Sequence, residues 1–244
     1  MSDVLMNISY SQISQYLSCP SREMYYLRGI KTPKTAALVY GSVFHKALAL
    51  ALKSKPYNIG DLMQPYLTGN APDEKDWNGI LTFGDNDWPV EVMTSWMEDA
   101  IKLVLDMPSR PQSTELMLSR GIKTPDGLTF NLRGVIDALW NGVLIDFKLA
   151  GRFYKVDTFQ AACYAILNGG PSRFKFYVVF KEKTPRLEVQ LVKEVLDQSY
   201  LDWALDRVII PVVRSIQNGI FPANPLYQFC SKNWCPYWTS CREG

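Results

Sequence analysis

The chain has 244 residues, 47% of them hydrophobic, which is ample for a continuous core in one large domain or two small ones. Lys and Arg number 26 against 24 for Asp and Glu, so the net charge of +2 neither points to nor excludes a nucleic-acid partner, and any such contact must come from local patches. No run approaches the roughly 18 to 20 apolar residues of a membrane span, and the opening MSDVLMNISY lacks the basic stretch and apolar run of a secretion signal; a cytoplasmic location with no membrane contact is expected, in a bacterial, archaeal or phage-infected cell.

Residues 9–28, SYSQISQYLSCPSREMYYLR, begin with serines suited to helix capping and carry Ile13, Tyr16 and Leu17 at helical spacing, with Pro20 interrupting or restarting the helix. A second, well-buried helix is expected over 37–53, carrying His45, the single histidine of the sequence. Residues 54–89 are rich in Pro, Gly, Asn and Asp but contain Trp77, Phe83 and Trp88, the composition of an ordered irregular insertion. A helix over 90–106 precedes strands at about 114–123, 127–139 and 142–149, the last two joined by Asn141-Gly142, a strong hairpin signal. A helix at 156–168, strands at 173–181 and 186–193, and one long helix at 194–217 follow. This order argues for an α/β fold with a mixed central sheet flanked by helices. A single domain over 1–244 is expected, with its core at about 37–193.

The segment GVIDALWNGVLIDFKLAG puts Asp137 near the end of one strand, and Asp146 and Lys148 on the next. Strand side chains alternate, so Asp146 and Lys148 share a face and Phe147 takes the other. Two carboxylates form a hard oxygen site suited to Mg²⁺ or Mn²⁺, and a lysine beside them positions or deprotonates a water and stabilises charge on a phosphate. That is the chemistry of phosphodiester hydrolysis. An isolated D-x-K is more often a surface ion pair, but here the flanks VLIDFK and GVIDAL are apolar, and carboxylates at the ends of buried strands need a partner or a metal.

Four motifs in order, GSVFH at 41–45, GVID at 134–137, DFK at 146–148 and QAACY at 160–164, make the sequence similar to the RecB-like PD-(D/E)XK nucleases over roughly half the chain. The resemblance implies a restriction-endonuclease-like core and a Mg/Mn-dependent deoxyribonuclease. It makes His45, Asp137 and Asp146 metal ligands and Asp137, Asp146, Lys148, Gln160 and Tyr164 catalytic-site residues. On the residues alone, His45 is equally a core histidine, and Gln160 and Tyr164, four apart on one helix face, equally pack against the sheet. Glu115 stands at a position where related sequences often carry an acid. The one departure is Asp146 where many relatives have Glu, a difference of one methylene.

Cys230, Cys235 and Cys241 cluster near the end, one thiol short of a four-cysteine zinc or iron–sulfur site, and Cys19 before Pro20 is the obvious fourth. The group resembles the iron–sulfur subset of these nucleases, which includes AddB-type subunits and CRISPR-associated exonucleases. A 4Fe-4S cluster joining segments 9–28 and 218–244 is implied. The C-x4-C-x5-C spacing is looser than the common C-x2-C-x5-C and leaves a structural Zn²⁺ open. Cys163 reads as a buried small hydrophobe. The resemblance implies an exonuclease acting on DNA with a free or single-stranded end, in recombination, repair, phage replication or CRISPR spacer processing, with a helicase, recombinase or CRISPR partner. The alternative is an inactive nuclease-fold DNA-binding or scaffolding subunit, against which the intact His, Asp, Asp and Lys set argues.

Overall fold

The computed structural model describes residues 5–71, 77–84, 87–107, 111, 113–151, 154–192 and 196–243. Strand β1 (Met6–Ser9) runs directly into helix α1 (Tyr10–Ser18), because Ser9 closes a capping box: its hydroxyl accepts from Gln12 N and the Gln12 amide oxygen accepts from Ser9 N. Cys19, in extended conformation, separates α1 from α2 (Pro20–Leu27). Pro20 falls in the first turn of α2, where its missing N–H costs nothing, so the proline restarts the helix. Strand β2 (Thr32–Thr35) and the long apolar helix α3 (Ala36–Leu52) follow.

The segment expected to be irregular contains regular structure. Asn58 accepts from Asp61 N and caps helix α4 (Ile59–Leu67), whose Ile59 and Met63 lie one turn apart and are buried against the apolar side chains of α3 and α5 (Val90–Leu105). Strand β3 (Trp77–Thr82) pairs in parallel with β2 as a separate two-stranded sheet. The Pro and Gly content masked these elements. Pro65 lies inside α4, where it cannot donate to the Asp61 carbonyl one turn earlier.

The main sheet comprises β1, β4 (Ser113–Lys123), β5 (Thr129–Trp140), β6 (Val143–Ala150), β7 (Arg173–Phe180) and β8 (Arg186–Leu191), in the order β1-β5-β6-β7-β8 with β4 also paired to β5. It is mixed, as expected: β1–β5 and β6–β7 are parallel, the remaining pairs antiparallel. Asn141 and Gly142, both at positive φ (49° and 73°), form the tight β5–β6 turn. Helix α6 (Thr158–Leu167) makes the crossover between β6 and β7.

Apolar cores fill both faces of the sheet. One joins α1, α6 and the C-terminal helices to Phe130, Leu144, Phe174, Phe176 and Val178; the other joins α3, α4 and α5 to Ile145, Phe147, Tyr177 and Val179. Phe44 and Phe147 are fully buried in the second, each contributing about 1.5–3 kcal/mol relative to exposure.

The helix expected at 194–217 is not continuous. Its start at 194–195 lies outside the described residues, and the rest divides into α7 (Gln198–Ala204), a π-helical turn (Leu205–Ile209) and α8 (Ile210–Gln217). Pro211 is the cause: its ring cannot be met by an ordinary α-helical carbonyl one turn earlier, and the wider π turn makes room for it. A short α9 (Trp238–Glu243) ends the described chain.

Candidate active site

Strand β5 is longer than either neighbour on one of its edges. The β1 ladder covers Phe130–Arg133 and the β6 ladder covers Ala138–Trp140, so Gly134–Asp137, the GVID motif, lies where the two neighbours diverge. Asp137 fills this fork. Its Oδ2 accepts from Phe147 N at 2.7 Å, replacing the next rung of the β5–β6 ladder with a side-chain bond. Its Oδ1 lies 3.2 Å from Nδ1 of His45 on α3.

Asp146, only 3% exposed, turns to the α6 face while Phe147 enters the opposite core, as alternation requires. Its Oδ1 accepts from Gln160 Nε2 at 3.0 Å. Its Oδ2 is paired with the Lys148 ammonium, 2.7 Å from Nζ, and has no other partner among the described residues. Burial is the main influence on the Asp146 carboxyl and raises its pKa; the Lys148 ammonium opposes this and the Asp137 carboxylate adds to it. For His45, burial opposes the charged form, but the carboxylates of Asp137 and Asp146 outweigh it and hold the imidazole above its ordinary pKa. His45, Asp137, Asp146 and Lys148 therefore share one electrostatic environment.

The QAACY helix is set by Asp157, whose carboxylate caps α6 by accepting from Gln160 N at 2.8 Å. Tyr10 donates a short hydrogen bond to the other oxygen of Asp157. Tyr164 is 8% exposed, stacks on Phe174 and lies against Gly134, where an added Cβ would stand 2.8 Å from Tyr164 Cε1 and 2.8 Å from Leu167 Cδ1. The glycine of GVID is thus required by the tyrosine of QAACY, a dependence between motifs 30 residues apart that spacing does not disclose.

Glu115 lies opposite Asp137 across the β4–β5 ladder and lines a cavity of about 180 Å³ with His45, Leu48, Ala49, Leu52, Val135, Asp137 and Phe147. Its backbone is left-handed (φ 51°), an uncommon state for a non-glycine residue, and its carboxylate meets Lys53 Nζ at 2.6 Å. Neither Lys53 nor the cap residue Asp157 stood out in the sequence, although Asp157 three residues before Gln160 is a readable cap signal.

The four cysteines expected to act together all line one cavity of about 330 Å³, between the α1–α2 junction and the C-terminal segment. Tyr16 donates to Ile220 O, Ser21 to Phe221 O, Arg22 to Tyr227 Oη, Tyr25 to Ser240 O and Asn224 to Ser18 O, holding the two chain ends together around it. Cys163 stands apart, on α6 and fully buried in the core. Among the described residues no three His, Cys, Asp or Glu groups close on a point as ligands of one metal ion would. Nor, among them, is any helix long and apolar enough to cross a membrane.

A helix-flanked mixed sheet with an Asp, Asp and Lys set at a strand fork defines a nuclease-type α/β protein. The sequence profile of the PD-(D/E)XK nuclease superfamily matches residues 7–242, and the chain belongs to that superfamily, whose members are hydrolases of phosphodiester bonds. A crystal structure from Eubacterium rectale, described as a candidate exonuclease, shares the fold with a TM-score of 0.60 at 16% identity, over 97% of this chain and 88% of its own. The structure of SSO0001 matches at 13% identity over 82% of this chain and 86% of its own, with a TM-score of 0.35, too low to carry an argument. No curated protein matches the sequence.

Proposed function

We propose that this chain is a RecB-like, Mg²⁺- or Mn²⁺-dependent DNA nuclease that works from an end. The single observation that carries this reading is the gathering at the fork of two carboxylates, Asp137 and the buried Asp146, with His45 and Lys148, the Oδ2 of Asp146 being held only by the Lys148 ammonium among the described residues. Two carboxylates this close disfavour one another's charged form, and a hard divalent cation relieves that repulsion. Asp137, Asp146 and His45 would hold the ion, which supplies Lewis-acid activation of water and phosphate. Lys148 places a positive charge where the phosphate acquires negative charge, and Gln160 fixes the rotamer of Asp146. His45 Nδ1 faces Asp137 Oδ1 at 3.2 Å, which brings the imidazole beside the carboxylate with which it would share the ion. Tyr164 holds α6 against Gly134 and thereby sets the distance of Gln160 from the sheet.

The cysteine cavity would seat a 4Fe-4S cluster, with a structural Zn²⁺ as the alternative: Cys19, Cys230, Cys235 and Cys241 are among the residues lining about 330 Å³, with Arg22 and Arg242 also on the wall to offset the negative charge of a thiolate cluster. The deciding experiment measures cleavage of end-labelled single- and double-stranded DNA with Mg²⁺ or Mn²⁺, comparing the wild type with Asp146→Ala. The variant is expected to fold and to cut at least about a hundred-fold more slowly; equal rates would remove Asp146 from the chemistry.

A further inference from the structure

A wide concavity lies outside the fork. It is a groove of about 740 Å³ between the α1–α2 pair, the β2–β3 sheet and the cysteine-bearing C-terminal segment. We propose that this groove binds the single-stranded stretch of a nucleic acid and delivers its end to the fork, with a base stacked on Trp234.

Three observations favour that occupant. Trp234 is 69% exposed on the groove wall, an unusual position for the largest apolar side chain, and presents a flat aromatic surface. Such a surface takes up an unpaired base, whereas the bases of a duplex are already stacked on one another. The charge on the walls is also of the right sign: Lys34 and Lys232 line the groove, and Lys232 is exposed with no ion pair among the described residues. The acid within it, Glu23, is fully buried and covered by the amides of Gln12 and Gln15, which donate to it at 3.1 and 3.0 Å, so it lies beneath the groove surface. Backbone phosphates would therefore meet ammonium and amide groups.

The third observation is continuity with the fork. Leu38 and Ser42 of α3 are exposed in the groove, and His45 follows Ser42 by one turn on the same helix face. His45, Ala49 and Leu52 continue that stripe into the cavity shared with Asp137. From Leu38 to His45 the helix advances only about 10 Å. Gly41 lies between them, and a Cβ there would meet nothing within 4 Å, so internal packing does not account for the bare backbone at this point of the path. The insertion reaches the groove as well: Thr82 of β3 lines it beside Thr32–Thr35 of β2.

This inference rests on the nuclease reading for its polarity toward the fork, but binding tests it independently of cleavage. Fluorescence anisotropy of a short labelled oligothymidine is measured with the full, metal-loaded chain in calcium buffer. Trp234→Ala is expected to weaken binding about ten-fold and Trp234→Phe far less, as for a stacked base. Lys232→Glu is expected to weaken binding and flatten its salt dependence. Because Trp234 adjoins Cys235, Leu38→Glu, on α3 and away from the cysteines in sequence, serves as a second variant, and it too is expected to weaken binding. Affinity unchanged in both Trp234→Ala and Leu38→Glu overturns the groove assignment even if the protein cuts DNA. Binding that depends on Trp234 in a protein that cuts nothing with Mn²⁺ upholds the groove and overturns the nuclease reading.

Discussion

Replacing Gly134 by Ala tests whether the GVID and QAACY motifs are one mechanical unit. The new methyl would lie 2.8 Å from both Tyr164 Cε1 and Leu167 Cδ1 and 3.3 Å from Tyr164 Cδ1, against an ordinary contact of at least 3.4 Å, so α6 must retreat by about 0.6 Å. The Tyr164 ring has little freedom to yield instead, being buried and stacked on Phe174. Overpacking of this kind costs about 1–3 kcal/mol, which in a chain of this size lowers Tm by roughly 2–4 °C per kcal/mol. If α6 moves as a body, the Gln160–Asp146 hydrogen bond stretches from 3.0 Å to about 3.6 Å and is lost, leaving Asp146 with no neutral donor. Thermal denaturation should therefore show destabilisation, and cleavage at saturating substrate should fall even where the protein remains folded. A double-mutant cycle with Leu167→Ala, which removes one of the colliding atoms, should give a coupling that partly restores stability. Strictly additive losses, or a Gly134→Ala protein as stable and active as the wild type, would refute the packing argument.

His45→Ala should weaken Mn²⁺ binding by calorimetry at least about ten-fold while lowering Tm little, since the imidazole is partly exposed and its polar contact among the described residues is Asp137; the reverse ranking would make it a core residue. Cys241→Ala should lose iron by metal analysis and lose thermal stability together, whereas Cys163→Ala, in the core and away from the cysteine cavity, should keep its full iron content. Glu23 has a carboxyl pushed up to about 7, first by burial, against the hydrogen bonds of Gln12 and Gln15. The folded state therefore holds this proton more tightly than the unfolded chain does, and the resulting stability is lost as pH rises from the ordinary carboxyl range through about 7. Glu23→Gln should remove that part of the Tm–pH slope and be relatively more stable than wild type at pH 8; an unchanged slope would show that Glu23 does not carry it.

The central strands were legible because each signal was local. Asn141-Gly142 fixed the β5–β6 turn, alternation fixed which face Asp146 and Phe147 take, and the Gly169-Gly170 stop fixed the end of α6. Strand β1 was not legible. Its four residues carry too little pattern, and their place in the sheet depends on pairing with β5 more than 120 residues away. The insertion is hard to read for the opposite reason: Pro and Gly are strong local signals for irregular chain, and they outweigh in the sequence both the local α4 cap at Asn58 and the long-range β2–β3 pairing. The convergence of the cysteines was expected from their count and from resemblance. The groove leading past Ser42 to His45 was invisible, since its walls come from three separate parts of the chain.

The cysteine cavity and the fork are distant in sequence, yet hydrogen bonds and shared elements connect them. Helix α1 ends at Cys19, on the cavity wall, and begins at Tyr10, which bonds to Asp157. Asp157 caps α6 through Gln160 N, and the Gln160 side chain bonds to Asp146. Holding α1 against the C-terminal segment thus holds the first turn of α6 in register with the sheet. A cross-link between Cys19 and the C-terminal thiols would close a loop of about 200 residues, worth about 5 kcal/mol in unfolded-chain entropy if it acts as a covalent bridge does. The bonds between the chain ends, each worth about 1 kcal/mol net, supply alignment to that closure. A cluster in this cavity therefore has no need to meet the substrate in order to affect cleavage. It would act by keeping α1 seated, so that Asp157 and Gln160 stay where Asp146 requires them.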